Sequence, residues 1–286
     1  MTQDAKSTAR AAHPVFADPA VRVHMADAMK TTFRIYVMEA TPAVESAVSA
    51  AFQKLEEIEN LLSRYVPGSD ISRINAMKAA EALFLSDECD RCLRLAVEAA
   101  RATGGRFDPC AGTMIDAVKS GSGLTGTVRG VLSLDEHRPL VTCLEAGRVL
   151  DLGAIGKGFA LERMGEILAA HGIGDALLTS GASTILAMGS MDWPIDIPHS
   201  AGVRRLLLRA SALAASGNSQ QGAHIVNPED GTAAQTFQNV WVIHPRAPLA
   251  DAFSTACFTM TPEDIADFTV LLLAGCRVIS DPDWSA

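Results

Sequence analysis

The chain has 286 residues, 48% of them hydrophobic and 20% charged, with 24 basic against 33 acidic side chains and a formal net charge of -9. Such a chain buries one sizeable core, or two lobes sharing one interface, which excludes structureless and fibrous readings. The acid excess opposes a general nucleic-acid or anionic-membrane surface, yet it leaves room for a phosphate-bearing ligand where a lysine or a metal makes one site locally positive.

The opening residues, MTQDAKSTARAAHPVFADPAVRVH, mix charge, alanine and proline without the continuous apolar run of a signal peptide. No later stretch supplies the roughly twenty apolar residues that cross a bilayer. The expectation is a cytoplasmic protein with no integral membrane segment. Residues 1–28 form an N-terminal extension and residues 29–286 the domain.

Residues 33–38, FRIYVM, read as a strand. Thr41 and Pro42 then supply a cap and first turn, and Val44, Val48, Ala51, Leu55, Ile58 and Leu62 follow at helical spacing. The next stretch, SRYVPGSDISRIN, is rich in turn residues and short side-chain oxygens. A second helix starts at Ser86 and ends before Gly104 and Gly105. It carries Cys89 and Cys92 on roughly one face. With no second C-x-x-C and no histidine at finger spacing, all six cysteines read as buried thiols rather than a zinc or redox site.

Residues 117–147 have poor periodicity and read as a strand hairpin. From Val149 a short strand reaches Leu152, a glycine-rich turn follows, and a helix extends toward His171. Strands are expected near 174–179, 184–188, 203–209 and 237–243, then a helix after PRAPLA, and another capped by Thr261 and Pro262. This alternation predicts an α+β fold, a single compact domain of mixed strands and packed helices.

In ADAFSTACF, Asp251 and Thr255 stand four apart, so a helix projects both side chains from one face about one turn apart. A carboxylate and a hydroxyl there suit a hard cation such as magnesium; a helix cap on a solvated face is the other reading. In DLGAIGKGFALE, Gly156 can present a bare carbonyl and Lys157 can meet a phosphate oxygen. The spacing is neither that of a P-loop nor that of a dinucleotide turn, and a structural turn with an exposed lysine is the other reading. In LAASGNSQQGAHIVNPEDG, Ser216, Gly217 and Asn218 make a polar turn, and His224 precedes a strand-like pair where it can exchange protons near neutral pH; a satisfied core or turn histidine is the other reading.

The order of six blocks, LLSRYVPGSDISRIN, GGRFDP, DLGAIGKGFALE, the SG of AASGN, HIVNPEDG and ADAFSTACF, resembles the FAD:protein FMN transferase family, historically called the thiamine-biosynthesis lipoprotein family. The resemblance implies a flavin cleft, FAD and a divalent cation, Mg2+ with Mn2+ also accepted. It implies transfer of FMN from FAD to a threonine or serine of an acceptor protein, with AMP released. FAD hydrolysis to FMN and AMP, or a noncatalytic FAD-binding role, are the alternatives. By similarity, Asp251, Thr255 and the Gly156 carbonyl would hold the metal, Lys157 would face the phosphates, and His224 would assist proton transfer. Met29, Tyr65, Ser69, Asn75, Asp108, Glu162, Ser216 and Gly217 would bind or shape the flavin nucleotide site.

The chain departs from the family pattern at several points. Lys30 replaces a small residue after Met29, Asn227 and Asp230 replace the usual aspartate and threonine of the histidine block, Ala182 follows Gly181 where a second glycine is common, and Cys110 stands for a threonine. Lys30 has two orientations open to it, over the flavin ring or outward to solvent.

Overall fold

The computed structural model describes residues 13–14, 20–38, 41–121, 130–199, 202–217, 225, 227–228, 234, 237–271 and 276–281. In chain order the elements are β1 (His13–Pro14), β2 (Arg22–Ala28), β3 (Thr31–Val37), α1 (Pro42–Leu62), α2 (Asp70–Asn75), β4 (Ala82–Phe84), α3 (Asp87–Ala102), α4 (Gly112–Ser120), β5 (Val131–Leu134) and β6 (Leu140–Glu145). They continue with α5 (Gly156–Ala170), β7 (Ala176–Ser180), β8 (Thr184–Met188), β9 (Trp193–His199), β10 (Gly202–Leu208), β11 (Ser211–Gly217), β12 (Asn239–His244), α6 (Ala247–Thr259), α7 (Pro262–Leu271) and β13 (Arg277–Asp281).

A seven-stranded sheet in the order β13-β12-β11-β8-β7-β3-β2 is antiparallel throughout and organises the α+β domain. Its two faces bury different layers. Ala176, Leu178, Leu186, Ala212, Ala214, Val240 and Val242 join the core under the helices. Their neighbours Leu177, Ile185, Ala187, Leu213 and Trp241 point the other way, onto Trp193, Ile195, Ile197, Leu206 and Leu208 of β9 and β10. The period of two along each strand therefore serves two cores. The small sheet β4-β6-β5 stands apart from this stack.

The strand before the expected boundary at Met29 belongs to this sheet, since β2 pairs with β3 over its full length. The expected helices stand where capping chemistry placed them. Thr41 Oγ1 accepts from Val44 N at 3.3 Å, and Ser86 Oγ accepts from Cys89 N at 3.3 Å. The hairpin expected within 117–147 is β5 and β6, while residues up to Ser120 extend α4.

Two expectations need correction. Residues 149–152 form no strand. Only Val149 bridges, to Ala111, because the Asn75 side chain takes both backbone groups of Leu150, donating to its carbonyl at 3.0 Å and accepting from its N–H at 2.7 Å. An amide side chain thus replaces the neighbouring strand. The glycine-rich turn is also shorter than expected, because Gly156, Lys157 and Gly158 already form the first turn of α5.

The cysteine reading holds for the described thiols: all six are free, with Cys89, Cys92, Cys143 and Cys257 buried and Cys110 and Cys276 half-buried. Burial pushes the Cys276 thiol up to about 11. A thiol raised in this way remains protonated near neutral pH and is a poor nucleophile.

One buried ionic cluster ties three helices together. Glu88 of α3 accepts from Arg163 of α5 at 2.8 and 2.9 Å and from Lys54 of α1 at 3.1 Å. Burial pushes the Glu88 carboxyl up, but the hydrogen bonds from Arg163 and then Lys54 outweigh it and hold the group below its ordinary range. With a folded value below the unfolded one, its stabilisation is complete above the ordinary glutamate range and is lost as pH falls through the lowered value. Glu88→Gln removes the charge-assisted hydrogen bonds from Arg163 and Lys54, which keep Glu166 and Glu57 as partners, and urea unfolding near neutral pH should show a loss of about 2 kcal/mol. An unchanged urea midpoint would show that the cluster is neutral for stability.

Candidate functional site

A cleft of about 550 Å³ opens where the first turn of α5 meets α6, the end of β11, the β7–β8 hairpin and the β2–β3 turn. Its size suits a cofactor or small-molecule site. It gathers residues from distant parts of the chain, among them Met29, Tyr65, Asp108, Gly156, Lys157, Ser216, Gly217, Asp251 and Thr255.

Asp251 sits on α6 and is only 4% exposed. Its Oδ2 accepts from Gly158 N at 3.0 Å, and its Oδ1 accepts from Thr184 Oγ1 at 3.1 Å. Gly158 N is one of the donors that a helix start leaves without an intrahelical partner, so Asp251 caps α5 from 93 residues away. The positive end of the α5 dipole faces this carboxylate. Among the described residues no lysine or arginine pairs with it. A carboxylate has about four acceptor positions, and two hydrogen bonds leave room for a cation.

Thr255 follows one turn later, its Oγ1 3.4 Å from the Asp251 carbonyl oxygen and 3.4 Å from Ser216 Oγ. Ser216 Oγ also lies 2.9 Å from Ser254 Oγ. Ser216 and Gly217, expected in a polar turn, are instead the last two residues of β11, aligned by pairing with Val240 and Asn239. Asp251, Thr255 and Gly156 at the start of α5 thus line one cleft, setting a carboxylate and a hydroxyl beside the first turn of a helix. Such an all-oxygen set fits a hard cation that keeps positions for substrate oxygens. Among the described residues no cluster of three His, Cys, Asp or Glu side chains forms.

Lys157 Nζ donates to the Gly153 carbonyl at 3.0 Å, folded back along its own turn. That turn is pinned by Asp151, whose Oδ1 accepts from Gly153 N at 2.8 Å and whose Oδ2 lies 2.8 Å from Arg64 Nε. The aspartate that opens DLGAIGKG therefore sets the loop that carries the lysine. Arg64 also makes two hydrogen bonds to Asp116, at 2.8 and 2.6 Å, and that partner raises the guanidinium above its ordinary value. Lys30, Arg64, Arg106, Lys119 and Lys157 all line the cleft of a protein that is acidic as a whole. Glu59, Asp108, Asp151 and Asp251 line it too, so the lining keeps a small excess of positive charge toward a phosphate.

At the rim, Lys30 folds over Tyr65, with Nζ 4.4 Å from the ring centroid, while Arg64 Cζ lies 4.8 Å from the same centroid. The side chain thus packs on a protein aromatic at the cleft rim, an arrangement that the expectation for Lys30 did not include. Met29 and Lys30 have φ of 49° and 61°, the left-handed backbone typical of a two-residue hairpin turn and unfavourable for side chains with a Cβ. Glu59 braces this turn, its Oε1 accepting from Met29 N at 2.8 Å. Asp108 lines the cleft, accepts from Cys110 N at 2.8 Å and lies 3.6 Å from Arg148 NH1.

Three expected site residues stand outside the lining. Ser69 caps α2, accepting from Ser72 N at 3.0 Å and donating to the Ser63 carbonyl at 2.7 Å. Asn75 braces Leu150 as described. Glu162 pairs with Arg246 at 2.7 Å and links α5 to the start of α6. These three hold the walls of the site. His224 and Asp230 lie outside the described residues, as does Asn218; Asn227 is described and half-buried.

Sequence reasoning missed Thr184, Gly158 and Arg64 as parts of the site. The only local signal for Thr184 is the small, polar run SGAST at the end of a strand. Arg64 adjoins Tyr65 in a quoted block, yet nothing in its spacing announces Asp116 or Asp151 as partners.

Fold and site together define an α+β protein whose cleft joins a buried carboxylate, hydroxyls and several cationic side chains, a combination suited to a phosphate-bearing ligand. The model of the ApbE family matches residues 29–279, and the chain belongs to that family. It is 26% identical over 271 residues to a FAD:protein FMN transferase of Treponema pallidum, covering 79% of this chain and 75% of the relative. It is 27% identical over 228 residues to a FAD:protein FMN transferase of Rhodobacter capsulatus, covering 70% of this chain but 44% of that longer relative. The fold is shared with the crystal structure of the ApbE protein from Thermotoga maritima, at a TM-score of 0.77 and 22% identity over 91% of this chain and 94% of that one. It is shared also with the apo flavinyl transferase ApbE of Pseudomonas stutzeri, at 0.76 and 19% over 91% and 94%.

Proposed function

We propose that the protein transfers FMN from FAD to a threonine or serine hydroxyl of an acceptor protein, releasing AMP. The observation that carries this reading is Asp251: a carboxylate 4% exposed, oriented by Gly158 and Thr184, without a cationic side-chain partner among the described residues, and opening onto a cleft lined by lysines and arginines. Membership in a family whose curated relatives are FAD:protein FMN transferases supports the choice of substrate.

In this reading the acceptor oxygen forms a bond to the phosphorus of the FMN moiety, and the bond from that phosphorus to the oxygen of AMP breaks. Lys157 leaves the Gly153 carbonyl and places its ammonium on the phosphate oxygens. Asp251, Thr255 and the Gly156 carbonyl would hold Mg2+, or Mn2+ in its place, which when bound neutralises phosphate charge. The Met29–Lys30 turn and Tyr65 would border the flavin. The hydroxyl proton goes to a base, for which His224 is proposed from its sequence block alone.

The test is mass spectrometry after incubating the protein with FAD, Mg2+ and candidate acceptor proteins, with EDTA as control. The expected result is an acceptor heavier by one FMN, with matching AMP, abolished by EDTA. FMN and AMP without a labelled acceptor would replace transfer by hydrolysis, and FAD bound but unchanged would replace it by a carrier role.

A further inference from the structure

A groove of about 680 Å³ outside the cleft runs between β2 and α1. One wall is the stretch His24–Ala28, and the other is the helix face from Glu45 to Asn60, with Val48, Phe52 and Leu55 between them. Among the described residues β2 is the terminal strand of the seven-stranded sheet and pairs only with β3. The pairing sets Ala28 opposite Thr31 around the two-residue turn. In such a hairpin that pair is hydrogen-bonded and the bonding alternates along the strand. The backbone groups of Val23, Met25 and Asp27 therefore face away from β3, toward the open edge.

Natural edge strands are blunted by proline, lysine or bulges. β2 contains no proline or lysine and its register with β3 is regular over all seven residues; its charged side chains are Arg22 and Asp27, which leave the middle of the strand uncharged. Met25 and Val23 remain 62% and 45% exposed. A strand edge beside a helix, with apolar side chains between, is the geometry in which extended peptides are captured by strand addition.

We propose that this groove receives an extended, basic segment of the flavin-acceptor protein as an eighth strand beside β2; the inference rests on the transfer reading above. Charge selects the occupant. The described lining carries Asp27, Glu45, Glu56 and Glu59 and no lysine or arginine. Position selects it too. Glu59 lines both the groove and the cleft, and its carboxylate holds Met29 N at the junction. A chain laid along β2 passes Ala28 and reaches the Met29–Lys30 turn at the cleft mouth, where an acceptor must present its hydroxyl.

The experiment uses the full chain with FAD and Mg2+. Its probe is a fluorescein-labelled decapeptide alternating valine and lysine around a central threonine. Comparison peptides carry glutamate for lysine, or N-methyl groups on the odd or the even backbone amides. Binding is read by anisotropy. The glutamate peptide is expected to bind at least about tenfold more weakly, and the double variant Glu45→Lys/Glu56→Lys to weaken the lysine peptide by a similar factor while FAD affinity stays unchanged. Only one of the two N-methylated peptides should lose binding, because a strand bonds its neighbour through alternate residues.

Equal binding of both methylated peptides, or indifference to charge in peptide and protein, would overturn the inference. So would a second copy of the chain in the groove, seen as a dimer in sedimentation that the double variant abolishes. A tenfold gain in peptide affinity on deleting residues 1–19 would assign the groove to the chain's own N-terminal segment instead. FAD binding and cleavage, measured in the same samples, report on the transfer reading separately: their absence overturns that reading while leaving the peptide data interpretable.

Discussion

Asp251→Asn should lower metal-dependent FAD turnover at least about a hundredfold, since a cation stabilises phosphoryl charge by several kcal/mol and each 1.4 kcal/mol is a factor of ten. The fold should survive. Asparagine has the shape of aspartate, its Oδ1 can accept from Gly158 N, and its Nδ2 can donate to Thr184 Oγ1 once that hydroxyl rotates. Both hydrogen bonds persist and a buried charge is removed, so stability without metal should stay within about 1 kcal/mol of the parent. A stabilisation by Mg2+ that is present in the parent and missing in the variant would separate a ligand from a helix cap. Thermal unfolding with and without Mg2+, beside turnover, reads both quantities. Parent-like turnover together with a parent-like Mg2+ effect would remove Asp251 from the cation site and return it to the role of a cap.

Gly158→Ala should be the most damaging single methyl in the site. A Cβ built there lies 2.7 Å from the Ala247 carbonyl carbon and 2.9 Å from Asp251 Cβ, and closer still to the Ala247 carbonyl oxygen. Two of the obstructing atoms are backbone, so no rotamer change relieves the clash. α5 and α6 must move apart, which costs about 3 kcal/mol or more. The same movement lengthens the hydrogen bond from Gly158 N to Asp251 and displaces the carboxylate. Expected results are a melting temperature lower by several degrees and a turnover loss that added Mg2+ does not restore. Gly156→Ala is the control, because a Cβ there meets nothing within 4 Å and the φ is not in the left-handed region. A Gly158→Ala variant as stable and active as the control would mean that the helices are not in close contact here.

The local elements were legible because their signals are local. Thr41 with Pro42 and Ser86 with its following turn announce helix starts through caps that act within three residues. β11 was not legible. Its sequence SALAASG contains small residues with little strand propensity, and they fit because Ala212 and Ala214 lie in the core beneath the helices. β9 was hidden by Pro194 and Pro198, and it forms a strand because its Trp193, Ile195 and Ile197 fill the second core against the sheet. In both cases partners far along the chain outweigh propensity.

The site divides in the same way. Sequence alone determined that Asp251 and Thr255 share a helix face and that Lys157 follows a backbone lacking side chains, because four-residue spacing and the absence of a Cβ are properties of the chain itself. Only the tertiary structure decided that Gly158 and Thr184 orient Asp251, that Arg64 fixes the loop of Lys157 through Asp151, and that Ser69, Asn75 and Glu162 hold walls rather than line the cleft. A hydrogen bond between residues 93 positions apart exists only once a sheet has brought two helices together, and no local pattern encodes that distance.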